Sequence, residues 1–427
     1  MKMRLHRGIL CAFTCAFTMV SVLLTSGQVH DTQTGVLEPS FKSLQVKIAG
    51  DDQIPAVLMA DTPHRIEISF DELADSRRYM RYSIVHCDAR WRPDNLPESM
   101  YLTGFNEGEV SDFRYSVATT VNYVHYSIIL PNEQIGLKVS GNYLLKVYDE
   151  SDPDKILLQA RFQICENTVS VGASSTTRTD VDYNAGHQQL SLAVEPKRAE
   201  IDDPFRDLLV TVSQNGRVDN IHEITLPSRV SGRRLYYEHN PALIFPAGNE
   251  YRRFETITLD YPSMRVAEMG FTHPYYQAFL YVDYPRSSDG YLYDKTQFGR
   301  YRVRDYDSDE SDINAEYVLT HFSLEMPEQP GHDVYIDGDL VNRRFDDTSR
   351  MIYNRASQRY ESTLLLKQGS YNYQYLVAPI GSATASSALI EGDRYQTTNE
   401  YQVCVYYHKP GELYDRLVGY LDFKSNN

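Results

Sequence analysis

Between Asp149 and Ile164 the chain reads DESDPDKILLQARFQI, and this stretch narrows what the molecule can become more than any other. Asp149 to Asp154 is a run of residues that favour chain reversal. Ile156, Leu158, Ala160, Phe162 and Ile164 then face one way, with Gln159, Arg161 and Gln163 opposite. A period of two is the pattern of a strand with one face on a core. Ser140-Gly141-Asn142 leads into a preceding apolar run, Tyr143–Tyr148, so the two runs predict a hairpin. Arg65–Phe70 alternates in the same way, and Phe113–Thr120 and Tyr123–Leu130 read as further strands. The 34 Tyr and 16 Phe against a single Trp suit pleated, half-buried surfaces. The expected class is all-β: tandem antiparallel β-sandwich domains of immunoglobulin-like or early-set-like kind.

The first residues read as an export signal. Lys2, Arg4 and Arg7 precede an apolar run, Gly8–Leu24, and Thr25-Ser26-Gly27 offers small residues for cleavage before Gln28. Cys11 and Cys15 lie inside the apolar run, which argues against a lipoprotein. The run is short for a membrane anchor and no second one follows, so no direct membrane span is expected. The predicted organisation is a signal peptide over 1–27, an N-terminal sandwich over 28–166, a middle β domain over 167–304, an acidic linker over 305–316 and a C-terminal early-set-like sandwich over 317–427. Asn215-Gly216 predicts a type I′ hairpin turn. A formal net charge of −16 disfavours nucleic acid and anionic membrane surfaces as partners.

Candidate chemistry gathers first in Tyr82–Phe105, YSIVHCDARWRPDNLPESMYLTGF. It opens as a strand with both rows largely apolar, which calls for cover on both faces. His86, Cys87 and Asp88 stand beside Trp91, the sole tryptophan, which is expected to anchor a core. A nucleophile or metal reading is disfavoured, because strand parity sends His86 and Cys87 to opposite faces. Cys87, Cys165 and Cys404 are an odd set, open to one Cys87–Cys165 bridge or to three buried thiols, of which the second is favoured. Asp305, Asp307, Asp309 and Glu316 fall at calcium-loop spacing, but Glu310 stands where the loop needs Gly, so a charged linker fits better. No nucleophile elbow, Walker loop, zinc helix or C-x-x-C occurs, and the expectation is a non-enzyme with no cofactor or metal.

The same stretch resembles the type IX secretion system plug protein family of Bacteroidetes. The likeness continues through Tyr123-Val124-His125-Tyr126, Leu130-Pro131-Asn132, SGNYLLKVY, SQNGRVDN, IFPAGNEYRRFE, EGDRYQTTNEYQVCVYYH and LYDRLVGY, in the family's order and over nearly the whole chain beyond the signal. The resemblance implies an exported, periplasmic protein on the inner side of the outer membrane. It would dock on the large outer-membrane β-barrel translocon and close its periplasmic mouth when no substrate is engaged. It carries over no catalytic residues, and no interface positions are assigned from it. His86, Cys87, Trp91, Gly104, Gly141, Asn142, Tyr143, Gly248, Asn249, Glu250, Tyr406 and Tyr407 are expected to be structural signature positions. VYIDGDLVN with YESTLLLKQGSYNYQYLV is also similar to early-set domains of the glycogen-binding kind. That likeness keeps a glycan-binding alternative in play, with Tyr373 and Tyr375 as the platform.

Overall fold

The strands Gly141–Asp149 and Asp152–Cys165 form the predicted hairpin, and around it the first sheet is built. Met80–Cys87 pairs on the far side of Gly141–Asp149, placing Tyr143 between Phe162 and His86. A second sheet, Phe41–Ile48, Ile66–Glu72, Val124–Leu130 and Asp112–Tyr115, packs against it. Alternating residues such as Ile66, Ile68, Phe70, Ile84, Leu145 and Phe162 meet in one core and close the N-terminal sandwich. The computed structural model describes residues 31–51 and 54–425. The expected signal segment lies outside them, and from Thr32 onward the chain is one compact unit. The fold is all-β as expected; among the described residues two strand pairings are parallel, Val57–Met59 on Asp152–Cys165 and Tyr275–Leu280 on Tyr317–Glu325, and the other ladders are antiparallel.

The middle and C-terminal domains do not divide as sequence order predicts. Leu208–Gln214 pairs with Glu400–Tyr407, nearly two hundred residues later, and Arg416–Lys424 lies on that strand's other edge. Leu208, Val210 and Val212 oppose Tyr407, Val405 and Val403, so one alternating apolar row completes the other. Together with Val169–Thr176, His187–Pro196 and Arg234–Tyr237 they enclose the second sandwich. The third is inserted within it. Arg252–Glu255 pairs with Gly369–Pro379, and Val266–Thr272 and Tyr275–Leu280 extend the sheet of Tyr317–Glu325 and Arg359–Lys367. Strands expected in the middle domain thus belong with the core of Tyr371, Tyr373 and Tyr375.

The acidic run is not a free linker. Ser311–Asn314 forms one helical turn with Ile313 buried, and the Val117 N–H donates to the Ile313 carbonyl at 2.9 Å. The run is therefore folded onto the N-terminal sandwich. Asn215 and Gly216 both take positive φ, 55° and 69°, in agreement with the predicted turn.

Candidate functional site

Strand Met80–Cys87 ends at Asp88, whose carboxylate accepts from the backbone N–H groups of Arg90 and Arg92, both at 2.9 Å. Trp91 N–H also donates to the Asp88 carbonyl. Coiling the loop this tightly forces Trp91 to a φ of 63° and turns its ring out of the sandwich. The tryptophan is only half-buried, with the Arg161 guanidinium 4.4 Å above its ring. The core-anchor expectation is thereby corrected, and the loop instead clasps the N-terminal sandwich to the second one. The Ala89 N–H donates to Asp415 at 2.9 Å, and Arg90 forks onto Glu223 at 2.6 to 3.1 Å. Trp91→Ala should cost only about 1–2 kcal/mol, the worth of a partly desolvated cation–π contact with its packing. Urea unfolding followed by circular dichroism checks this; a loss as large as a core truncation would return Trp91 to the core.

His86 and Cys87 are both buried, at 1% and 0% exposure. The His86 ring is held between the Asp94 carboxylate at 2.5 Å and the Ser140 carbonyl at 3.1 Å, with Tyr143 edge-on at 4.9 Å. Gly141 makes that seat possible: its φ is +131°, and a Cβ there would stand 2.6 Å from His86 Nε2. Gly104 is constrained likewise, since a Cβ would meet the Gln134 carbonyl at 1.9 Å. Gly141→Ala is expected to destabilise by about 2–3 kcal/mol through strain and displacement of His86, read as a lowered urea midpoint. A variant as stable as the parent would show that the ring has room to move.

Asn142 sits in the junction itself. It donates to the Asp88 carbonyl at 2.8 Å. Its Oδ1 accepts from Gln163 and from the Tyr406 hydroxyl, both at 2.8 Å. Tyr406 thus belongs to the second sandwich yet is satisfied by the first, and the Glu166–Arg416 pair at 2.7 Å lies in the same junction. Tyr407 points the other way, into the second core. Gly248, Asn249 and Glu250 lie where the chain leaves for the inserted sandwich, and they are zipped to the returning segment. Gly248 N–H donates to Asp393 at 2.9 Å, Asn249 donates to the Glu391 carbonyl at 2.8 Å, and Glu250 accepts from Thr398 N–H at 3.0 Å. The signature positions therefore divide among two sandwich interiors, one junction and one crossing.

A further set was invisible in the sequence. Asp71 and Lys367, each about 1% exposed, form an ion pair of 2.6 Å between the N-terminal and inserted sandwiches. His125 at 2.7 Å and the Tyr317 hydroxyl at 2.7 Å complete the shell of Asp71. Burial alone would drive the Asp71 carboxyl up, but Lys367 and His125 outweigh it and hold it below the usual range. Within the inserted sandwich, buried Arg252 bridges Asp283 at 2.8 Å and Glu391 at 3.0 Å. No sequence signal marks these residues, because a charged residue on a strand looks the same whether it meets water or another domain.

The reactive readings lose their geometry. Cys87, Cys165 and Cys404 are free and buried, and burial pushes the Cys87 and Cys165 thiols up to about 12. Cys87 and Cys165 sit on strands that flank Gly141–Asp149 from opposite sides, too far apart in the sheet to bridge. Glu316, the twelfth calcium-loop position, is buried and accepts hydrogen bonds from Thr120, Val121 and Tyr317. Among the described residues no His/Cys/Asp/Glu group is arranged to hold a metal. Tyr373 and Tyr375 are no sugar platform: at 1% and 0% exposure, both spend their hydroxyls on Asp283.

Residues 41–166 match the family described as "Type 9 secretion system plug protein 1st domain". The crystal structure of a hypothetical protein from Parabacteroides merdae is similar over 92% of this chain and 99% of its own. Identity is 40% and the TM-score 0.90. An alkylpurine DNA glycosylase, AlkC, from Pseudomonas fluorescens aligns over 29% of this chain and 30% of its own at 13% identity, but its TM-score of 0.16 carries no argument. Latent PorU from Porphyromonas gingivalis, at 12% identity over 90% of this chain and 34% of its own, has a TM-score of 0.15 and carries none either. No curated protein matches.

Proposed function

The chain belongs to the type IX secretion system plug protein family, and on that premise we propose that it is a non-catalytic component that binds the outer-membrane β-barrel translocon and seals its periplasmic opening when no substrate is engaged. The family match over residues 41–166, nearly all of the first sandwich, carries this reading. Membership places the protein in type IX secretion, and a periplasmic or envelope location accords with it. Among the described residues no helix is long and apolar enough to cross a membrane.

A seal must resist deformation, and the two junctions support that requirement. The N-terminal sandwich is clasped to its neighbours through Arg90–Glu223, Asn142–Tyr406 and Asp71–Lys367. A docking surface also needs apolar area, with aromatic side chains favoured. The inserted sandwich exposes Phe271, Tyr281, Tyr284, Leu292 and Tyr293 between its first strands and the segment after them.

Tagged protein should co-purify with the translocon from gently solubilised outer membranes. Deletion should admit a large antibiotic only while the barrel is present. Absence of leakage in cells that hold the substrate-free barrel would overturn sealing. Failure to associate under gentle detergent would overturn docking. Tyr284→Asp with Leu292→Asp should weaken co-purification without lowering the melting temperature.

A further inference from the structure

The N-terminal and second sandwiches close on each other through an apolar patch of Val57, Ala89, Cys165, Cys404, Tyr406 and Leu417, and beside it their facing surfaces turn polar and stand apart. Arg161 and Gln163 project from Asp152–Cys165, while Thr211, Ser213 and Gln402 project from the facing sheet. They leave a cavity of about 510 Å³, with Trp91 at its wall and Arg300, Asn342 and Arg343 also lining it. A volume of this order accommodates ligands larger than a simple ion.

The charge of the lining is opposite to that of the chain. Lys47, Arg90, Arg161, Arg217, Arg300 and Arg343 line the cavity against only Glu223 and Asp339, in a protein with 42 basic and 58 acidic residues. Glu223 is engaged by Arg90 and Asp339 by Arg343. Asp219, Glu400 and Asp337, which pair with Arg217, Arg300 and Arg343, are more deeply buried than their partners and do not line the space. The guanidinium groups therefore stand in front with their carboxylates behind. Guanidinium binds carboxylate in a planar, forked geometry. Gln402 adds an amide that offers both a donor and an acceptor, as a peptide backbone requires, while Gln45 and Asn342, whose amide N–H groups are given to the Tyr301 and Leu44 carbonyls, add acceptor oxygens.

We propose that this cleft binds an acidic peptide segment, its carboxylates taken by the cavity arginines and its backbone by the amide side chains between them. The peptide lies between the two sandwiches and touches the wall that carries Trp91. The site is separate from the surface invoked for the translocon, and its test needs no translocon, so the two readings fail independently.

Trp91 is the only tryptophan, so its emission reports this one place. Purified protein is titrated with an acetylated octapeptide of alternating Glu and Gly, and the titration is repeated by calorimetry. A saturable response in both, weakening as salt rises, is expected. A Lys-Gly octapeptide and inorganic phosphate should give none. Gln402→Glu, nearly isosteric, sets a like charge on the cleft wall and should weaken binding at least about tenfold. Arg161→Gln should weaken it too, though it also gives up the Trp91 contact, so Gln402→Glu, which should melt as the parent does, is the deciding variant. No saturable heat or emission change, an equal response to the lysine peptide or to phosphate, or parental affinity in folded Gln402→Glu would each overturn the proposal.

Discussion

Lys367→Met is expected to destabilise the protein by about 3–5 kcal/mol, the cost of leaving one member of a buried ion pair without its partner. Asp71 would remain at about 1% exposure with only His125 and the Tyr317 hydroxyl around it. The loss should fall at the junction, because Asp71 belongs to the N-terminal sandwich and Lys367 to the inserted one. Urea unfolding followed by both Trp91 emission and circular dichroism reads this. The double variant Asp71→Asn/Lys367→Met should be more stable than the two single losses added, since no charge is then orphaned. An unchanged urea midpoint in Lys367→Met would show that water reaches Asp71 and that the junction is looser than its geometry.

The second large effect is expected from Arg252→Met, again about 3–5 kcal/mol, because one guanidinium serves two buried carboxylates. Arg252 bonds Asp283, at 2% side-chain exposure, and Glu391, at 0%. Arg286 would still hold Glu391 at 2.6 Å and Arg265 would hold Asp283 at 2.7 Å, which keeps the fold from collapsing outright. The pH dependence identifies the mechanism. Burial pushes the Glu391 carboxyl up, but Arg252 and Arg286 outweigh it and hold it below the usual value. A carboxyl depressed in the folded state contributes stability that is present above its unfolded pKa, near 4, and lost as pH falls through the lower folded value. The parent should therefore lose stability on acidification below about pH 4. Arg252→Met, lacking the main depressing charge, should lose less, so the gap between the two narrows at low pH. A gap independent of pH would assign the cost to lost packing alone.

Nothing in the sequence marks either residue, and the reason is physical. Lys367 stands beside Gln368 and Gly369 and reads as a turn, while Arg252 reads as the polar side of a strand. Their partners lie 296 and 139 residues away for Lys367–Asp71 and Arg252–Glu391. Trp91 erred in the opposite direction. Its size predicts a core position, but the Asp88 loop imposes a positive φ that points the ring into the junction.

What the chain determines by itself is local. A period of two assigns strands and their inner faces, as the predicted hairpin of Tyr143–Tyr148 and Ile156–Ile164, found in Gly141–Asp149 and Asp152–Cys165, illustrates. The positive-φ sites at Asn215 and Gly216 and the absence of standard catalytic motifs are equally legible. Only tertiary structure decides that Leu208–Gln214 takes Glu400–Tyr407 as its neighbour and that a whole sandwich is inserted between them. Alternation specifies which face of a strand is apolar but not which other strand supplies its edge. Nor does it separate a polar outer face that meets water from one that meets a second sandwich, and that difference is what makes both the clasped junctions and the arginine-lined cleft.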